Sequence, residues 1–296
     1  MRTSWLNRET THAAPRHTAA VLFMMLSVGL YAVQDVIVKS LPTELHVVQI
    51  SFFRSFFAFI PIFVIGYYER RQRIFKSQWP IGHLVRATLS FLALLCFIHA
   101  FRTMPLANAY TFTFTAPLFL TLFSAPLLRE KVSPARWGAV VVGFSGILIM
   151  LRPSGGLSMD SLIALGGGVF YGLSLVYVRS LSSTDSNTLI VLTFTLLSTF
   201  LSGLALPWFW QPMTLTTLAL FACVGTLGGL AQYAMTQAMR LAPVSSIAPF
   251  DYAALLWAVL FDWIFFTTKP DVWMLLGGSI IIGAGLFLAK REKTAL

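Results

Sequence analysis

Arg54 and Asp251, of opposite charge, each stand about eight residues inside a long apolar run. At about 1.5 Å per helical residue this is ~12 Å from the nearer helix end, close to the middle of a hydrocarbon layer about 30 Å thick. A central arginine costs at least ~2.5 kcal/mol to insert, so it faces a cavity or a partner rather than lipid. Read functionally, the two residues hold the opposite charges of a polar molecule; read structurally, Arg54 ties two helices together in an ion pair. Asp251 is also a candidate proton-linked carboxyl, because intramembrane acids serve as relays. Arg86 lies nearer a helix end, where it could bind or snorkel to headgroups. Asp35 precedes Lys39 by four residues, the spacing of an intrahelical pair, and ranks third as a substrate contact. Asp262, near the end of its run, is expected to be solvated. Tyr110, Thr113, Tyr171, Ser174, Gln232, Tyr233, Gln237 and Tyr252 offer hydrogen bonds and stacking surface, although each could equally be a packing contact between helices.

The elements that must position these groups are helices in lipid. Of 296 residues, 57% are hydrophobic and 11% charged, against about a quarter charged in soluble domains. Apolar runs occur near 18–40, 47–67, 80–101, 106–127, 134–151, 158–179, 187–207, 214–239, 243–266 and 271–289, separated by Pro42, Pro80, Pro105, Pro134, Pro212, Pro243 and Pro270 or by the segment Arg152 to Gly156. The expected fold is therefore an all-α membrane protein of ten transmembrane helices. The alternation Tyr110 to Thr115 resembles a strand, but an open strand edge in hydrocarbon leaves backbone groups unpaired, so that run is read as helix. The first run follows a basic tail and is read as an uncleaved span, since it is too long for a signal peptide.

The net charge of +10 could suggest nucleic acid, but its placement argues against that partner. With the amino terminus inside, fifteen basic residues fall on cytoplasmic segments, including Arg70, Arg71, Arg73 and Lys76, and four on the other face. The positive-inside rule then puts both termini in the cytoplasm, and the expected location is a bacterial inner membrane.

Tyr31 to Leu41 (YAVQDVIVKSL) and Tyr171 to Leu181 (YGLSLVYVRSL) share five of eleven residues at an offset of 140. Ala100, Arg102 and Pro105 match Ala238, Arg240 and Pro243 at 138, and Gly138 and Gly146 match Gly277 and Gly285 at 139. Each repeat holds five spans, and an odd number inverts the second copy. The organisation is a tail 1–17, a first repeat 18–151, a linker 152–157, a second repeat 158–289 and a tail 290–296. Two inverted five-helix repeats are a plan of secondary transporters, with substrate bound near the midplane. Asp251 occupies the repeat position of Thr113, so the site is charged differently in its two halves. The glycines of the fifth and tenth runs (Gly138, Gly143, Gly146; Gly277, Gly278, Gly283, Gly285) permit close packing between repeats or in a homodimer.

An enzyme is the rival class. Gly143, Ser145 and Gly146 resemble a serine-nucleophile motif, yet no His follows Ser145 and no metal-binding cluster is evident. Cys96 and Cys223 lie in apolar runs and read as packing residues. No phosphate-binding loop of the G-x-x-x-x-G-K-[ST] type is present. No catalytic residue, metal or cofactor is assigned.

The residues Arg129, Glu130, Lys131, Trp137, Gly138, Gly143, Gly146 and Leu151 to Pro153 closely resemble the EamA family of the drug/metabolite transporter superfamily, over residues 18 to 290. The second repeat departs from the pattern at Thr267, Thr268 and Lys269. Phe52, Phe53 and Arg54, His83 and Arg86, and Ala248 to Tyr252 resemble the branch of S-adenosylmethionine uptake carriers; related branches include riboflavin importers and amino-acid exporters. The resemblance implies ten spans in two repeats and alternating-access transport of a small organic metabolite.

Overall fold

A computed structural model describes residues 10–69, 77, 79–128, 134–151, 158–181, 185, 187–241, 250–269 and 271–294. The basic clusters at 70–76 and 129–133, Glu130 and the linker 152–157 lie outside them, as does the start of the ninth run at 243–249.

Among the described residues every regular element is a helix: α1 (Thr10–Ser40), α2 (Val47–Glu69), α3 (Pro80–Thr103), α4 (Leu106–Thr113), α5 (Ala116–Leu128), α6 (Pro134–Leu151), α7 (Met159–Leu181), α8 (Asn187–Phe209), α9 (Leu215–Leu241), α10 (Ala253–Phe266) and α11 (Val272–Thr294). Seven helical segments are long and apolar enough to cross a membrane, and three shorter apolar helices accompany them. The outer surface is apolar, with Phe63 77% and Leu256 74% exposed, as lipid rather than water requires. Polar residues such as Gln34, Asp35, Gln49, Ser198 and Asp262 are buried instead.

The run at 106–127 is not one helix. It breaks at Phe114 and Thr115 between α4 and α5. Pro117 has no N–H to give to the carbonyl of Thr113, and the threonines supply local alternatives. Thr113 Oγ1 donates to the Tyr110 carbonyl at 2.7 Å, and Thr115 Oγ1 to the Phe112 carbonyl at 2.7 Å. A turn also sits at Tyr252, just before α10.

Helix α1 packs on α9 and α10, and α3 packs on α7 and α8. Helix α2 lies against α8 and α9, α5 against α7, and α6 against α11. Glycines make the close approaches. Gly168 and Gly172 of α7 face Thr115 and Phe119 near the α4–α5 break, and Gly225 and Gly229 of α9 face Phe57 and Pro61 of α2. A Cβ at Gly146 of α6 would meet the carbonyl of Gly277 in α11 at 2.7 Å, so this glycine seam is used within the chain.

Two charged residues depart from the sequence reading. Asp262 is 3% exposed rather than solvated. It pairs with Lys39 at 3.2 Å and accepts the backbone N–H groups of Leu106 and Ala107 at 3.0 and 2.9 Å. Helix α4 begins after Pro105 with no capping side chain of its own; its unpaired amides need an acceptor, and a carboxylate from another helix also suits the positive end of the helix dipole. Asp35 consequently does not pair with Lys39, whose Nζ donates to Asp262 and to the Met104 carbonyl at 2.9 Å. Between α1 and α2, His46 stacks on Phe209 at 4.0 Å, and desolvation, then the nearby Arg102 charge, hold its imidazole below the usual range.

Candidate functional site

Helices α1, α2, α3, α4, α7 and α9, with the chain entering α10, bring most of the predicted residues together. Tyr31 Oη on α1 donates to Gln232 Oε1 on α9 at 2.8 Å. Asp35 lies one turn inward from Lys39; its Oδ2 accepts Tyr110 Oη at 2.6 Å and its Oδ1 accepts Gln34 Nε2 at 2.9 Å. Arg54 from α2 is within electrostatic reach of Tyr31 and Asp35. Asp251 is within reach of Tyr31, Tyr110, Tyr171 and Tyr252.

Arg54 and Asp251 are both half-buried. Among the described residues neither forms an ion pair; the pairs present are Lys39–Asp262, His83–Asp185 and His99–Asp160. The structural alternative for Arg54, an ion pair between two spans, is therefore not seen there. Two opposite charges without ion pairs there lie within electrostatic reach of tyrosines, Arg54 of Tyr31 and Asp251 of Tyr31, Tyr110, Tyr171 and Tyr252, an arrangement suited to a ligand bearing both signs.

The aromatic wall is continuous. Phe101 and Tyr110 centroids are 5.4 Å apart, Tyr110 and Phe114 6.3 Å, and Phe114 and Tyr252 4.9 Å. Gly285 of α11 leaves room for the Tyr252 hydroxyl, where a Cβ would collide. On α7, Tyr171 stands edge-on to Phe97 at 6.2 Å.

Other candidates point elsewhere. Thr113 and Ser174 turn their hydroxyls onto the carbonyls of Tyr110 and Tyr171 in their own helices. Arg86 does not run to an exposed end: its Nη1 donates to the Ile190 carbonyl on α8 at 2.8 Å, and its guanidinium lies 5.3 Å over Phe194. It remains within reach of Tyr31 and Tyr171. Tyr233 and Gln237 follow on α9, both half-buried.

Residue-type reasoning passed over Tyr31 and Gln34. Tyr31 was legible through the repeat, since it matches Tyr171. Gln34 gave no signal beyond standing next to Asp35. At the opposite end of α3 from Arg102, His83 Nε2 meets Asp185 Oδ2 at 2.7 Å, and Ser77 Oγ donates to the same oxygen at 2.8 Å. A separate cleft of about 200 Å³ lies beside Met104, lined by Thr103, Asn108, Phe112, Ser158, Asp160, Ser161, Asp271 and Met274.

The EamA-like transporter family matches the chain twice, over residues 18–152 and 159–290. A riboflavin transporter from Rhizobium johnstonii is 30% identical across 94% of this chain and 93% of its own. An S-adenosylmethionine uptake transporter from Rickettsia bellii is 25% identical across 96% and 98%. One protein crystal structure shares the fold, with a TM-score of 0.65 at 18% identity over 93% of this chain and 99% of that one.

Proposed function

We infer from one premise, that this chain belongs to the EamA-like transporter family, that it is a secondary carrier moving a small polar metabolite across the bacterial inner membrane by alternating access. Its family and relatives are transporters of small molecules, and its apolar helices make it a multi-pass membrane protein. We read the seven long and three shorter apolar segments as ten spans, in two inverted repeats of five with both termini cytoplasmic. The pairing of helices supports the repeat: α1 of the first repeat on α9 of the second has its counterpart in α7 of the second on α3 of the first, as an exchange of repeats demands.

The observation that carries the function is the pair Arg54 and Asp251, half-buried, without ion pairs among the described residues, and set against Tyr31, Tyr110, Tyr171 and Tyr252. In this reading Arg54 takes a substrate carboxylate, Asp251 takes a cationic group, and the tyrosines cover a flat portion. An amino-acid-related compound such as S-adenosylmethionine carries all three features. A second reading, riboflavin, is favoured by the 30% identical relative and by the aromatic wall, which suits a flat ring system.

Counterflow separates the two. Proteoliposomes preloaded with unlabelled S-adenosylmethionine should take up the labelled compound saturably, with riboflavin and amino acids tested as competitors. Competition by riboflavin alone transfers the assignment to the second reading. Absence of counterflow for every compound overturns the carrier.

A further inference from the structure

We propose that Asp35, with Gln34 and Tyr110, is a proton-binding site that couples substrate movement to a proton gradient, distinct from the substrate groups Arg54 and Asp251; this rests on the carrier reading above. Asp35 is 5% exposed, and the nearest basic residue on its helix, Lys39, is engaged by Asp262. Both carboxylate oxygens are held by neutral donors, Tyr110 Oη at 2.6 Å and Gln34 Nε2 at 2.9 Å. No cationic side chain pairs with it among the described residues.

The charged and titratable groups around Asp35 are few. From α2, Arg54 acts on it at a distance; from α4, Tyr110 bonds to it; on α1 itself Tyr31 is nearby. Asp251, ahead of α10, and Arg86, on α3, act on Tyr31 rather than on Asp35, and α9 brings the neutral Gln232. Because hydrogens already point at both carboxylate oxygens, the site lacks the shell of oxygen ligands that a hard metal cation requires. A proton needs only an acceptor for the O–H it creates.

That acceptor is present and unused. Gln34 is 3% exposed, and its Oε1 is buried with no hydrogen-bond partner. An amide presents a donor on one side and an acceptor on the other, and a half-turn exchanges them. With Asp35 ionised, Gln34 Nε2 donates to it, as observed. With Asp35 protonated, the turned amide accepts its proton through Oε1, while Tyr110 continues to donate to the other oxygen. Both protonation states are thereby satisfied within one cage.

The same amide connects the proton to the substrate. Gln34 Oε1 occupies the space that a Cβ on Gly228 would fill, and Arg54 Nη2 lies 3.7 Å from that point. In the ionised state the guanidinium is attracted by both the Asp35 charge and the amide oxygen. Protonation neutralises the first and turns away the second, leaving Arg54 free to hold an anionic group. Proton and substrate then bind together, so the coupling is symport.

The test uses the purified full chain in proteoliposomes with labelled S-adenosylmethionine or labelled riboflavin, whichever shows counterflow. With the outside one pH unit more acidic, the wild type should accumulate label about tenfold per coupled proton. In Asp35→Asn the ratio of gradient-driven accumulation to counterflow should fall about tenfold. Gln34→Leu, which keeps the carboxylate but removes the acceptor, should lose the gradient response too, and it decides the matter if Asp35→Asn fails to insert. Accumulation by either variant at the wild-type level, or a wild type driven by a sodium gradient and not by pH, overturns the proton site while leaving the carrier intact. A wild type without counterflow overturns the carrier and this inference with it.

Discussion

The acids at the ends of the helices and those in the interior are held in opposite ways. Asp262 binds Lys39 and two helix amides, Asp185 binds His83 and Ser77, and Asp160 binds His99. Among the described residues Asp35 is held by neutral donors alone and Asp251 forms no ion pair. A buried charge is stable when it is paired and hydrogen-bonded. The end acids meet that condition inside the protein and hold helices together. In the proposed reading the interior acids leave it to be met by what arrives, a substrate cation at Asp251 and a proton at Asp35.

The contrast is most exposed to failure at Asp262. Replacing it by Ala strands Lys39 and uncaps α4, so Asp262→Ala should lose about 3–5 kcal/mol, the loss typical of breaking a buried pair, read by thermal unfolding in detergent. Lys39→Ala should lose less, because the carboxylate keeps its two amide donors. Next comes His83→Ala, which leaves Asp185 buried with Ser77 still donating; about 1–3 kcal/mol is expected. Asp160→Asn breaks a pair whose side chains are 30% and 44% exposed, and such pairs contribute about 0–1 kcal/mol. The smallest stability change belongs to Asp251→Asn, within ~0.5 kcal/mol, yet counterflow should fall by at least about tenfold, as for a lost charge-assisted contact. If Asp251→Asn destabilised the chain as much as Asp262→Ala, the distinction between end and interior acids would collapse.

A further experiment sharpens the interior side. Gly228→Ala places a methyl group where Gln34 Oε1 now lies. The flexible amide end must shift, so stability should change little while the pH response of uptake is lost. A normal pH response in this variant would separate the amide from the coupling.

Much of the architecture was legible because lipid imposes a simple rule on sequence. Apolar runs bounded by proline and charge announced the helices, and most run boundaries fall within a few residues of helix ends. The helix break at Phe114 was not drawn, although its cause, Pro117 with hydroxyl residues before it, was written in the chain. Arg54 and Asp251 stood out as candidates because a charge in hydrocarbon is conspicuous by itself. Asp262 was misjudged because its partners lie 223 and 156 residues away along the chain, and no local spacing reports such a meeting.

The sequence alone determined what the solvent must be, where helices run, and which charges lie deep within apolar runs, since these follow from each residue's own transfer free energy. The tertiary structure decided which charges are already answered. Lys39 could reach Asp35 or Asp262 by its length and charge, and only the packing of α1 on α10 and the bare amino end of α4 chose between them. That choice left Asp35 to neutral donors, and its role followed from the partner it did not receive.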